Sequence, residues 1–196
     1  MCGHICVCGE KVGSDGRHGL ACKKAAGRHP RHSHCNDLIK RALGSAGVPA
    51  VREPPGLSRG DGKRPDGLTL FPWKEGRSLV WDFTCVDTLA PSHIAQTSQE
   101  AGKAAEQAEK KKMTLYQDLQ TSYYVVPIAM ETMGSWGKVS LKFMKSLGSK
   151  VAEETGENQA SSYLFQSIGI ATMRGNAMSV SGTVPNARKL DEIYYL

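Results

Sequence analysis

The chain has 196 residues, 40% of them hydrophobic, and a formal net charge of +6, which is material for one domain of ordinary size or one domain plus a small module. It contains no apolar run approaching the roughly 18 residues of a membrane-spanning helix and no continuous apolar stretch near Met1 of the kind a secretory signal requires, so the expected setting is cytosolic or nuclear, with no membrane partner. The charge is concentrated: residues 17–64 hold eleven Lys and Arg against three Asp and Glu, and a basic segment on a near-neutral body points to a polyanionic partner or, more blandly, to a basic solvated surface.

Six Cys in such a setting read as metal ligands or buried thiols rather than disulfides. Cys6-Val7-Cys8-Gly9 is followed after nine residues by His18 and after three more by Cys22. Thiolates and imidazole suit tetrahedral Zn²⁺, and a polar, Gly-rich segment that buries little apolar surface gains its order from a metal. The other reading is a disordered tail with free thiols; Cys2 and His4 are alternative ligands for the same or a second ion. The next run, Gly27-Arg28-His29-Pro30-Arg31-His32-Ser33-His34, offers Arg28, Arg31 and His32 as phosphate contacts, or its His as metal ligands. A helix is expected from Asn36, with Leu38, Ile39, Ala42 and Leu43 at helical spacing and Gly44 or Gly47 at its end. Cys35, at its start, reads as a packed thiol.

Val48 to Arg52 predicts a short strand, and 58–64 a polar loop leading to a tight Pro65-Asp66-Gly67 turn. Leu68–Phe71 and Ser78–Val86 predict a hairpin about Lys74-Glu75-Gly76-Arg77. Alternation in its second strand puts Val80, Asp82 and Thr84 on one face, and Leu79, Trp81, Phe83 and Cys85 on the core face. Two carboxylates on neighbouring strands, Asp66 and Asp82, can share a hard cation such as Mg²⁺, and Lys63 and Arg64 beside them suit phosphate. Taken singly, each is an ordinary turn or edge Asp. Register is the obstacle: a plain two-residue turn at Glu75-Gly76 pairs Thr69 with Asp82 and places Asp66 opposite Cys85, on the wrong face. A bulge near Pro72 or a longer loop is therefore required.

A helix is expected over 97–119, opened by a Thr97–Glu100 capping box. Ala101, Ala105, Ala108, Leu115 and Leu119 form one stripe, with Lys112 at its centre and Tyr116 at its edge. Lys112 either snorkels out of an apolar face or reaches over the sheet edge to the carboxylate pair. Tyr123–Met130 predicts a strand, and Pro127 places it at an edge or a bulge. Glu131 reads as solvated in preference to a supporting acid. Two helices follow, one ending near Gly156 and one carrying Tyr163, Leu164, Ile168 and Met173; Arg174-Gly175-Asn176 reads as a helix terminus or a nucleic-acid contact. From Ser179 a loose tail is expected.

At Arg64-Pro65-Asp66, Asp82-Phe83-Thr84 and Lys112-Met113-Thr114-Leu115-Tyr116 the chain resembles the PD-(D/E)XK restriction-like nucleases. It is most similar to the endonuclease region at the C-terminal end of site-specific non-LTR retrotransposon polyproteins, in which a Cys-Cys-His-Cys knuckle and an Arg/His-rich segment precede the nuclease. Cys6, Cys8, His18, Cys22, then Arg28, Arg31 and His32, stand in that order here. The resemblance covers about residues 1–134. It implies an α/β fold with a restriction-endonuclease-like mixed sheet flanked by helices, Asp66 and Asp82 as ligands of Mg²⁺ (or Mn²⁺), and Lys112 as the catalytic Lys displaced from position 84, which is Thr. It implies structural Zn²⁺ on the four Cys/His ligands, and Arg28, Arg31, His32, Lys63 and Arg64 on nucleic acid. The helical acid of the family matches Asp37, with Glu53 in reserve. The expected organisation is a zinc and basic segment over 1–35, a nuclease core over 36–178 and a tail over 179–196. The implied activity is nicking of double-stranded DNA in the nucleus for element integration, with element RNA and a reverse transcriptase as partners in a parent polyprotein. The alternatives are a non-catalytic nucleic-acid-binding module from a decayed or domesticated element, and an interaction protein using the zinc module alone.

Overall fold

The computed structural model describes residues 3–57, 62 and 64–184. A small pair of strands, β1 (His4–Ile5) and β2 (Lys11–Val12), opens the chain, followed by the single turn α1 (His18–Ala21) and the long α2 (Arg28–Ser45). Then come β3 (Ala50–Arg52), β4 (Gly67–Lys74) and β5 (Arg77–Val86), the short α3 (Ile94–Thr97), α4 (Lys103–Leu115), β6 (Tyr124–Glu131), α5 (Lys138–Thr155) and α6 (Ala160–Ser181). The four-stranded sheet runs β3-β4-β5-β6, antiparallel in its first two pairings and parallel in the last. Pro127 lies on β6, an edge strand, where its missing N–H costs no ladder bond on the open side.

Alternation along β5 distributes its side chains as the sequence predicts. Leu79, Trp81 and Phe83 enter the main core with Ile39 and Leu43 of α2, Phe143, Met144 and Leu147 of α5, and Ile168 of α6. The opposite face is covered by α4, whose Ala105 and Ala108 pack on Ala129. A helix of small residues can lie close to the sheet, and that closeness puts its longer side chains within reach of β5.

The hairpin contains the required irregularity. Glu75 and Gly76 both have positive φ, 52° and 72°, as a two-residue turn between twisted strands demands. From Lys74↔Arg77 the register shifts on both sides of Pro72, so that Leu68 meets Val80 and Gly67 meets Trp81. The slip is odd in number, which exchanges faces. Asp66 thereby comes level with Asp82 instead of Cys85. Thr69 patches the gap: its hydroxyl accepts from Leu79 N–H at 2.8 Å and donates to Phe71 C=O at 2.7 Å.

Several expectations change. Helix α2 starts at Arg28, two turns before Asn36, because Pro30 falls in the first turn, where its absent N–H has no intrahelical partner to lose. A division at residue 35 therefore cuts a helix, and Cys35 is a fully buried mid-helix thiol. The Pro65-Asp66-Gly67 run is not a tight turn but leads straight into β4: Asp66 N–H donates to Trp81 C=O and its C=O accepts from Glu53 N–H. The helix expected over 97–119 is interrupted at Gly102, with φ of 89°, and no capping box forms; the Thr97 hydroxyl turns back to Thr88 C=O. Glu131 is buried, and its carboxylate accepts from Ala104 N–H at 3.0 Å at the start of α4, where the helix dipole favours an anion. Ser179 and Thr183 are buried, because the end of α6 receives the N-terminal module. Gly19 abuts Val180 so closely that a Cβ there would lie 2.8 Å from its Cα, and His4 Nε2 lies 3.0 Å from Thr183 Oγ1. The remainder of the expected tail, 185–196, lies outside the described residues.

Candidate functional site

The first constellation is the N-terminal Cys/His cluster. After β1 the chain turns at Cys6-Val7-Cys8-Gly9, with Gly9 at φ of 94°, and Gly9 N–H and Cys6 N–H close the turn on Cys6 C=O and Glu10 C=O. α1 then supplies His18 from its first position, and Cys22 follows at its end. One ligand atom from each of Cys6, Cys8, His18 and Cys22 lies within 4.8 Å of all the others, the one group of three or more His, Cys, Asp or Glu ligands that close among the described residues. Cys6 and Cys22 sulfurs are 3.8 Å apart, and Cys8 Sγ is 3.2 Å from His18 Nε2. A tetrahedron with Zn–S bonds of about 2.3 Å has edges of about 3.8 Å. Glu10, on the solvent side, stands 3.7 Å from the other ring nitrogen of His18. The thiols are electrically uneven: a backbone hydrogen bond at Glu10 leads in lowering Cys8, whereas burial raises Cys22. The cluster is compatible with structural zinc. His4 is turned instead to Thr183, and Cys2 lies outside the described residues.

The second constellation is the carboxylate pair. Asp82 projects from β5 toward α4 and is almost completely buried. Lys112 Nζ lies 2.7 Å from its Oδ1, and the Tyr116 hydroxyl donates to its Oδ2 at 2.5 Å. Asp66 is reached from the other face: His32 Nε2 of α2 lies 3.1 Å from Asp66 Oδ2, and Phe83 N–H donates to the same oxygen at 2.7 Å. Asn36, one turn after His32, ties this arrangement to the core. Its Oδ1 accepts from Trp81 Nε1 at 2.9 Å, and its Nδ2 lies 3.4 Å from His32 Nδ1. With Nδ1 facing a donor, the proton of a neutral His32 belongs on Nε2, aimed at Asp66.

Electrostatics separate the two acids. Burial pushes Asp66 toward its neutral form, but the hydrogen bonds and charge of His32, with Phe83 N–H, outweigh it and hold the carboxyl below its ordinary range. The same contact with Asp66 raises His32 above its ordinary value, against burial. Asp82 is raised by burial first and by the charge of Asp66 second, with Lys112 and Tyr116 opposing. Asp82 is thus close enough to feel the charge of Asp66 and is short of compensating charge.

Of the sequence-predicted residues, Asp66, Asp82 and Lys112 converge here. His32 joins them as a partner of Asp66 rather than as an outlying phosphate contact. Arg28 lines a cavity of about 380 Å³ beside Lys112, His32 and Thr84. Arg31 lines the same cavity but is only 3% exposed, and its guanidinium donates to Asn176 Oδ1 at 2.5 Å, so it is an interior residue, not a surface contact. Arg64 is paired with Glu53, and Lys63 lies outside the described residues. Neither candidate for the helical acid turns to the site: Asp37 is bound to Arg52 at 2.8 Å, and Glu53 to Arg64. The turn of α2 that faces the carboxylates carries His32 and Asn36. Their spacing of four was visible in the sequence, but it becomes a helical face only once the helix begins before Asn36.

No protein-family model matches the chain. No curated protein matches it either.

Proposed function

We propose that the chain is a metal-dependent endonuclease of the restriction-like type, nicking double-stranded DNA by phosphodiester hydrolysis. The observation that carries this reading is the approach of Lys112 and Tyr116 from one face of the sheet, and of His32 from the other, onto two level carboxylates. A mixed sheet with helices on both faces supports the restriction-endonuclease-like fold. The donor set fits a hard cation: both groups are carboxylates, and Asp82 is raised by burial and by the charge of Asp66. Mg²⁺ or Mn²⁺ held by Asp66 and Asp82 would neutralise a phosphoryl oxygen and lower the pKa of bound water. Lys112 exchanges Asp82 for the scissile phosphate and holds the charge that develops on it. Tyr116 keeps Asp82 in place while Lys112 moves, and His32 fixes the orientation of Asp66. Arg28 offers charge to the flanking backbone. Cys6, Cys8, His18 and Cys22 hold Zn²⁺ as a structural ion.

The order of these parts supports an origin in a non-LTR retrotransposon, with a reverse transcriptase and element RNA as partners and the nucleus as the setting. One observation favours the alternative of a non-catalytic nucleic-acid-binding module: Lys112 and Tyr116 already engage both oxygens of Asp82. Nicking of supercoiled plasmid by the zinc-loaded chain decides between them. The endonuclease reading expects nicking in Mg²⁺ that is lost in Asp66→Ala and Asp82→Ala while DNA binding persists. Binding without nicking, or nicking unchanged in either variant, overturns it.

A further inference from the structure

A second cavity, about 740 Å³, lies between the Cys/His cluster and the segment 87–94, and Lys23 lines both it and the 380 Å³ cavity beside the carboxylates. The two spaces thus adjoin at Lys23, in a groove that starts beside Lys112 and whose near part is cationic: Lys23, Arg28, Arg31 and Lys112 line it. Arg31 is fixed by Asn176, and its buried Nε has no hydrogen-bond partner among the described residues, so Arg31 lends charge to the cavity wall while Lys23, Arg28 and Lys112 are the cations that can reach a ligand. The far part has a different character. Leu89, Pro91 and Ile94 make an apolar wall, and Lys23 and Lys24 contribute positive charge, while Arg17 is paired with Asp15 at 2.6 Å. Of its two acids, Asp87 is turned to the protein, accepting from Leu89 N–H at 3.1 Å and lying 3.2 Å from the Thr132 hydroxyl, whereas Glu10 is exposed to solvent.

Cations beside an apolar wall complement a nucleotide whose base is unpaired. An intact duplex hides its base faces in the stack and presents sugar and phosphate outward, which would leave the wall of Leu89, Pro91 and Ile94 without a partner. We propose that this groove binds a single-stranded stretch of DNA next to the cleaved bond, with a phosphate in the near cavity and an unpaired base on the apolar wall. The inference rests on the nuclease reading and narrows its substrate to DNA with a strand opened beside the cleavage site.

The test is fluorescence anisotropy with the zinc-loaded full chain in Ca²⁺, which permits binding without requiring turnover. The probes are a blunt duplex and the same duplex carrying a short thymidine tail at either the 5′ or the 3′ end. One tail polarity is expected to bind about tenfold more tightly than the blunt duplex, in line with one base face covering the apolar wall plus one phosphate contact. Lys23→Glu and Ile94→Asp, both at exposed or half-exposed positions, are expected to collapse that tailed-to-blunt ratio toward one. Tails of both polarities binding no better than the blunt duplex would overturn the proposal, as would a ratio that survives both substitutions. Plasmid nicking is scored separately. A tail preference without nicking sinks the nuclease reading, and nicking without a tail preference sinks the groove.

Discussion

Lys112 Nζ lies 2.7 Å from Asp82 Oδ1, although Lys112 sits at the centre of the apolar stripe of α4. A lysine kept on that stripe serves the buried carboxylate rather than solvent. Lys112→Met retains the stem and removes the charge. The expected outcome is a fall in nicking rate of about 10²–10³-fold, the range for losing one charge-stabilising donor, with the fold retained. Steady-state nicking and a melting curve measure the two quantities. A rate unchanged from wild type would reduce Lys112 to a counter-ion for Asp82.

Gly67 is dictated by space rather than by backbone angle, since its φ is not positive. A Cβ there would lie 2.1 Å from the indole ring of Trp81, which is locked to Asn36. Gly67→Ala is expected to destabilise by about 1–3 kcal/mol through overpacking. It should also lower cleavage, because the displaced residue neighbours Asp66. Denaturant unfolding checks the first, and a variant as stable as wild type would refute the close approach.

The His32–Asp66 contact predicts a pH window. His32 is raised, so its contribution to stability is complete below its ordinary value of 6.5 and is lost as pH rises through the higher folded value. Asp66 is lowered, so its contribution is present above its ordinary 3.8 and is lost as pH falls through the lower folded value. The stability difference between wild type and His32→Ala, without added Mg²⁺, is therefore expected to be greatest between those two ordinary values and to decline toward alkaline pH. A difference independent of pH would mean that the contact is not an ion pair.

Metal removal should separate the thiols. Chelation is expected to expose Cys6, Cys8 and Cys22 to a thiol reagent, while Cys35, fully buried and pushed up to about 12 by that burial, stays unreactive in the folded core. Because the module packs on the end of α6, chelation should also lower the melting temperature. Equal reactivity of all these thiols before and after chelation would argue against a bound metal.

Asn176 accepts from Arg31 and donates to Thr132 C=O at 2.7 Å, joining α2, α6 and the end of β6. Asn176→Ala leaves a buried guanidinium and a carbonyl unpaired at once. An expected cost of about 2–4 kcal/mol follows from losing both, and chemical denaturation measures it.

Much of the site was legible in one dimension. The parity of the hairpin required a bulge near Pro72 or a longer loop before Asp66 and Asp82 could stand level, and the register slips on both sides of Pro72. The stripe of α4 singled out Lys112. What escaped was mostly at element ends. The helix expected from Asn36 begins at Arg28, with Pro30 in its first turn, so His32 and Asn36 share a helical face that the later start conceals. Glu131 looked solvated because its partner, the N-terminus of α4, is distant in sequence. Arg31 looked like a surface cation because nothing nearby in the chain announces Asn176.

Sequence alone determined the elements whose signals are local: the alternation of β5, the hairpin about Glu75-Gly76, the ligand spacing of the Cys/His cluster, and the parity that excluded a plain hairpin. Tertiary structure alone decided which buried polar groups meet. An isolated carboxylate or guanidinium cannot be buried without a partner, and that partner is whatever a neighbouring helix brings to the same depth of the core. Here α4 brings Lys112 to Asp82, α2 brings His32 to Asp66, and α6 brings Asn176 to Arg31.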